Sequence, residues 1–181
     1  SQSVFQCYMK TVAVFGATGF IGKHMMRLID ASKFTAVPAA RSLGVDLFSY
    51  DATVRFLEHI KPEYIINVAA HVGSVHYVTA HAAEVFHDNV EMGQNLYRAV
   101  SAVCPSAVVV NPFSNCSYPG DVDLQRESEW WNGPVHESVF AYGNAKKALY
   151  MIAHTYAKEY GIRSVNFLVP NTFGPGDSAD P

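Results

Sequence analysis

Tyr142 and Lys146 stand four residues apart in a stretch, 141–160, whose apolar residues recur at three- and four-residue spacing. On a helix that spacing puts both side chains on one face. A tyrosine phenol has an ordinary pKa near 10, and an ammonium beside it stabilises the phenolate, moving the group toward acid–base work at neutral pH. Lys147 is no substitute, because one residue along a helix turns a side chain by about 100°. A lone Tyr-x-x-x-Lys is weak, so its surroundings must supply the weight.

Ser114 follows the apolar run 107–111, at the carboxyl end of a strand, where open α/β sheets bind ligands. In extended chain, residues two apart face the same way, so Ser114 and Cys116 in PFSNCSYPG could share one cleft. Packing alone reads Cys116 as a small buried hydrophobe. Further upstream, the run Gly16, Ala17, Thr18, Gly19, Phe20, Ile21 and Gly22 links a strand to a helix. Glycines there allow a tight turn and a close backbone approach to a pyrophosphate, which the N–H groups and positive end of the helix attract. A dinucleotide coenzyme is the expected ligand. The second strand, TAVPAAR, ends without an acid for a ribose 2'-hydroxyl and puts Arg41 nearby, which favours NADP over NAD; a solvated surface Arg41 is the plainer alternative. Asp46 could hold the adenine amino group.

These groups need a rigid frame, and the chain supplies one. It has 181 residues, 49% hydrophobic and 16% charged, which suits a globular domain with a sizeable core rather than disorder. Short β-branched runs at 11–15, 35–39, 64–69, 107–111 and 164–169 alternate with amphipathic stretches at 21–32, 51–60, 82–102 and 141–160. That alternation predicts an α/β fold, a doubly wound parallel sheet of the Rossmann kind. The stretch 112–137, with Trp130 and Trp131, reads as a long functional or mobile loop. Residues 1–8 are read as a leader or cloning remnant, with Met9 the natural start of a dinucleotide-binding domain spanning 9–181.

Partners are bounded by charge and hydropathy. A formal net charge of -3 with scattered basic residues argues against nucleic acid, and no apolar stretch nears the roughly 18 residues of a membrane span. Cys7, Cys104 and Cys116 are odd in number and widely spaced, so neither a disulfide framework nor a CxxC metal site is expected, and a reducing cytoplasm fits. His71, His76, His81 and His87 are five and six residues apart, which does not put pairs on one helical face, so no metal is expected.

GATGFIG, SNCSYP, YGNAK and PNTFGP, in this order and separation, resemble the extended short-chain dehydrogenase/reductases of the nucleotide-sugar epimerase/dehydratase family. The resemblance runs from Lys10 to Pro181, and Cys116 two residues before Tyr118 is most like the GDP-L-fucose synthase branch, as is the loop HVGSV. It implies that Ser114 hydrogen-bonds a sugar ketone, Tyr142 protonates its oxygen as NADPH delivers hydride, and Lys146 binds the nicotinamide ribose. It also turns Cys116 from an inert thiol into a group that exchanges protons beside a ketone. Asn67, Ala69 and Pro170 would then flank the coenzyme, Asn89 would brace the catalytic region, and Asn171 would face substrate phosphates or nicotinamide.

The sequence departs from that family in places. The family's smaller C-terminal substrate domain is largely absent, Asn115 stands where relatives usually have Ser, and Phe173 replaces a common Tyr. The expected function is an NADP-dependent nucleotide-sugar epimerase/reductase working as a homodimer on a 4-keto-6-deoxy sugar nucleotide. The alternatives are a 4-epimerase or 4,6-dehydratase with bound NAD, and a non-catalytic NAD(P)-binding module.

Overall fold

The computed structural model describes residues 9–177; the expected leader over 1–8, Cys7 with it, and residues 178–181 at the end of the expected domain lie outside the described residues. Five parallel strands form one sheet: β1 (Lys10–Phe15), β2 (Phe34–Ala39), β3 (Tyr64–Asn67), β4 (Val108–Ser114) and β5 (Arg163–Val169), in the order β2-β1-β3-β4-β5. Chain direction across the sheet reverses between β1 and β3. That is the switch point at which such sheets open a crevice at their carboxyl ends.

β1 is central, and its run Val12, Ala13, Val14, Phe15 is buried on both sides, as a continuous apolar strand must be in a parallel sheet. Alternation sends Ala13 and Phe15 to one face, against Leu57, Leu96 and Val100. Val12 and Val14 face the other way, onto Met25, Met26 and Ile29. The first layer is built by α2 (Tyr50–Ile60), α4 (Ala82–Val103) and α5 (Phe140–Tyr160); α1 (Phe20–Leu28) covers the second.

Element bounds differ from the expected ones for identifiable reasons. α1 stops at Leu28, not residue 32, because the Asp30 carboxylate accepts from Ser32 N (2.9 Å) and Ser32 Oγ (2.6 Å), closing a turn into β2. β3 stops two residues early, at Asn67, where the chain bends over the glycine turn and Val68 N donates to Phe15 O. β4 runs three residues further, to Ser114, because β5 continues beside it and pairs Ser114 with Val169. Pro112 fits there because β3 pairs with β4 only up to Val110.

Two features were illegible as elements. A six-residue helix, α3 (Val75–Ala80), is capped by Ser74 Oγ accepting from Tyr77 N and leads into α4 with one residue between. The segment 112–137 is not a free loop. It holds short 3-10 turns at Asn115–Ser117 and Glu127–Glu129 and an antiparallel bridge between Pro119 and Val135, and Trp130 is buried in it against Phe113 and Tyr150.

Candidate functional site

Gly16 leaves β1 with φ +81°, a conformation that side chains rarely adopt, and a Cβ there would lie 2.7 Å from the Ala69 backbone nitrogen. This turn and the chain leaving β3 therefore touch backbone to backbone. A Cβ on Gly22 would overlap the Gly16 carbonyl oxygen, so α1 packs onto the turn only with glycine at that position. No side chain caps α1 and its first turn carries no acid, so its N-terminal N–H groups stay available to an anion.

Two adjoining cavities follow the carboxyl edge of the sheet and share Gly19, Val68 and Ala70. The smaller, about 240 Å3, is lined by Gly16, Thr18, Ala69, Arg41 and Asp46. Arg41 opens a 3-10 turn after β2; its guanidinium lies 3.8 Å from Asp46 Oδ2 and over the Phe48 ring, and its side chain is 71% exposed. Ser42 Oγ reaches Thr18 Oγ1 at 3.4 Å across the mouth.

The larger cleft, about 580 Å3, gathers Phe20, Ile21, Gly22, Asn67, Ser114, Cys116, Tyr142, Lys146, Pro170 and Asn171. Its size falls in the range of small-molecule sites. Ser114 Oγ accepts from Cys116 N (3.2 Å) and lies 3.4 Å from Asn115 Oδ1, so the serine caps the turn carrying the cysteine. Gly143 lets α5 approach that turn: a Cβ there would overlap the Cys116 carbonyl oxygen and lie 2.6 Å from Val135 Cγ1. Tyr142 and Lys146 are thereby brought up to Ser114 and Cys116.

Lys146 is 7% exposed and its Nζ sits 5.3 Å from the Tyr142 ring centroid. The ionisation balance corrects the expected one. Burial, and then the neighbouring Cys116 when ionised, push the Tyr142 phenol well above its ordinary range, while burial pulls Lys146 down to about 8. Low-dielectric surroundings penalise both charged forms and outweigh the attraction between them. Lys147 points away as its position demands, with Nζ over the Trp130 ring (5.7 Å) and the Trp131 ring (5.2 Å).

Several participants are invisible to spacing. Val72, Ser74, Val75 and Val78 form a cleft wall from α3 and the loop before it, and Thr172 and Asp177 join from the segment after β5. The Ser74 cap was the one local signal for α3. Asn89 holds that wall from behind: its amide accepts from His71 N (3.1 Å) and donates to His71 O (2.7 Å). His71 is drawn to Asp88 (Nδ1 to Oδ2, 2.7 Å) and Tyr77 (Nε2 to OH, 2.8 Å) rather than to the other histidines. Ligand atoms of His71, Glu84 and Asp88 lie within 4.8 Å of one another, a metal-type grouping that the histidine spacing did not show, although hydrogen bonds already engage both imidazole nitrogens.

The fold and the glycine-lined groove define a Rossmann-type dinucleotide-binding unit. Residues 12–181 match the NAD dependent epimerase/dehydratase family, and the chain belongs to that family. It is 30% identical over 175 residues to the GDP-L-fucose synthase of Dictyostelium discoideum, covering 93% of this chain and 53% of that protein. It is also 30% identical to the probable GDP-L-fucose synthase of Drosophila melanogaster, covering 96% and 54%. Among solved structures, the GDP-L-fucose synthetase of Naegleria fowleri bound to NADP superposes with a TM-score of 0.77 at 27% identity, covering 93% of this chain and 56% of that one. A GDP-mannoheptose C4 reductase of Campylobacter jejuni with NADP bound reaches a TM-score of 0.83 at 20% identity, covering 96% and 55%, which is a likeness of fold. The chain spans about half the length of the curated relatives it matches.

Proposed function

We propose that this chain carries the coenzyme-binding and acid–base apparatus of an NADP-dependent epimerase/reductase acting on a 4-keto-6-deoxy sugar nucleotide. The observation that carries the reading is the grouping of Ser114, Cys116, Tyr142 and Lys146 in one cleft continuous with the glycine turn. The cradle at Gly16 and Gly22, which any Cβ would fill, and the uncapped start of α1 fit a dinucleotide diphosphate. Arg41 stands at the far end of the groove, where a 2'-phosphate would meet it. NADPH, when bound, supplies the hydride.

The chain's own residues supply the rest. Ser114 Oγ exchanges its long contact with Asn115 for a hydrogen bond to the ketone oxygen, polarising the carbonyl. Tyr142 then passes its phenolic proton to that oxygen as the carbonyl carbon is reduced. Its raised pKa keeps the phenol protonated at neutral pH, as an acid must be. The Lys146 ammonium beneath the ring stabilises the phenolate left behind and binds the coenzyme ribose. Cys116 Sγ exchanges a proton with the carbon beside the ketone, the electron pair resting meanwhile on the enolate oxygen beside Ser114. Asn171 faces the substrate, and Asn67, Ala69 and Pro170 border the coenzyme.

The same reading includes a homodimer through the outward faces of α4 and α5, which expose Phe86 and Met151, and a reducing compartment suited to the free thiols Cys104 and Cys116. Tyr142→Phe tests the chemistry: NADPH affinity is retained, while reduction of a GDP-4-keto-6-deoxy sugar falls by about 10²-fold or more. Unchanged turnover removes Tyr142 from the mechanism, and a folded protein with no affinity for either nicotinamide coenzyme overturns the whole reading.

A further inference from the structure

Lys147 follows Lys146 directly on α5, yet the step of about 100° along the helix carries its side chain away from the cleft. It is 7% exposed. A lysine this covered ordinarily meets a carboxylate. Among the described residues, however, the ion pairs of lysine and arginine fall to Lys33, Arg41 and Arg126, and none to Lys147. Its ammonium lies instead over two indole rings, 5.7 Å from the Trp130 centroid and 5.2 Å from that of Trp131, and the rings meet at 63° with centroids 4.9 Å apart. Their negative faces take the place of an acid. A methionine would fill the same space without taking a charge out of water, so packing alone does not account for the ammonium.

The two rings differ in what else they hold. Trp131 is 52% exposed and forms the outer wall of the seat. Trp130 is buried, stacked on Phe113 of β4 (5.9 Å) and met edge-on by Tyr150 of α5 (5.2 Å). A cation over the ring leaves the ring edge free, and there the indole N–H donates to Ser117 Oγ (2.8 Å). Ser117 Oγ donates to the Ser114 carbonyl, and Ser114 Oγ accepts from Cys116 N. Rotation of the indole would carry its N–H off Ser117. One line of contacts therefore runs from Lys147 through Trp130 and Ser117 to Ser114 and Cys116 in the cleft.

We propose that Lys147 is a positioning residue: its ammonium, held on the faces of Trp130 and Trp131, fixes the indole whose N–H anchors the turn carrying Ser114 and Cys116, and so sets where those two groups stand in the cleft. Adjacent lysines on one helix then serve opposite sides of the same site. Lys146 lies against Tyr142, and Lys147 acts on the serine and cysteine from behind, through the segment after β4. The inference rests on the reading of Ser114 and Cys116 as reacting groups for its effect on turnover, but not for its effect on the indole.

The test uses the whole chain and two variants. Lys147→Met keeps the length of the side chain and removes the charge, whereas Lys147→Arg restores a cation that stacks on indoles. The chain has two tryptophans, so the indole N–H signal of Trp130 is identified in NMR spectra by its loss in Trp130→Phe. In Lys147→Met that N–H exchanges with deuterium about tenfold faster or more, and Lys147→Arg returns it to within about threefold of the parent. With a GDP-4-keto-6-deoxy sugar, Lys147→Met lowers kcat about fivefold or more, leaves KM and NADPH affinity within about twofold, and is rescued by Lys147→Arg. An unchanged Trp130 exchange rate in the folded Met variant overturns the proposal, and so does faster exchange with unchanged kcat. A parent chain that binds NADPH but turns over no such sugar counts against the reaction, and the exchange rate then decides on Lys147. Lys147→Gln, also neutral, takes the place of the Met variant if that variant does not fold.

Discussion

Trp130 donates its indole N–H to Ser117 Oγ across 2.8 Å, and Ser117 Oγ donates in turn to the Ser114 carbonyl. Both residues are buried, so a side chain from the long segment after β4 fixes the turn that presents Ser114 and Cys116 to the cleft. Trp130→Phe keeps most of the packing but leaves the Ser117 hydroxyl without its donor. We expect a loss of about 1–3 kcal/mol of stability in urea unfolding, with turnover of any ketone substrate lowered more through kcat than through KM.

Gly143 sits inside α5 where a methyl group has no room. Gly143→Ala must push α5 from the Cys116 turn. The expected cost is about 1–3 kcal/mol from overpacking, set against roughly 1 kcal/mol of helix propensity gained by alanine. A lowered melting temperature by circular dichroism checks it, and a variant as stable as the parent would show that the turn yields.

Lys146 links stability to pH. Its folded pKa of about 8 lies below the unfolded value of 10.5, so the unfolded chain binds more protons between those values and stability rises with pH across that window. Below pH 8 the penalty is present in full, at most about 3 kcal/mol. Lys146→Met should therefore be more stable at pH 7 and show a flatter profile from pH 8 to 10 in guanidinium unfolding, at the expense of activity.

Arg41 offers a direct measure of coenzyme choice. With its guanidinium exposed and only loosely held by Asp46 at 3.8 Å, it is free to turn to a phosphate. Arg41→Ala should weaken NADPH binding by about tenfold and leave NADH binding nearly unchanged in fluorescence titrations. Equal losses for both coenzymes would place Arg41 outside the 2'-phosphate contact.

The doubly wound sheet was legible because its signals are local: β-branched runs separated by helical periodicity, and glycines where a strand must turn at once into a helix. Tyr142 and Lys146 share a face by spacing alone, and the carboxyl end of β4 was the expected place for Ser114. At six residues, α3 was too short to show a period. The burial of Trp130 depends on Phe113 and Tyr150, which belong to other elements.

Sequence by itself determined which residues could take part and on which edge of the sheet they would gather, since strand direction and side-chain period follow from neighbours along the chain. Tertiary structure alone decided how close they come and in what state of charge. The approach of α5 at Gly143, the seat of Lys147 over two indoles and the reversal of the expected Tyr142 shift all arise from burial and from contacts between segments distant in sequence. Desolvation is a property of the assembled core, and no spacing along the chain encodes it.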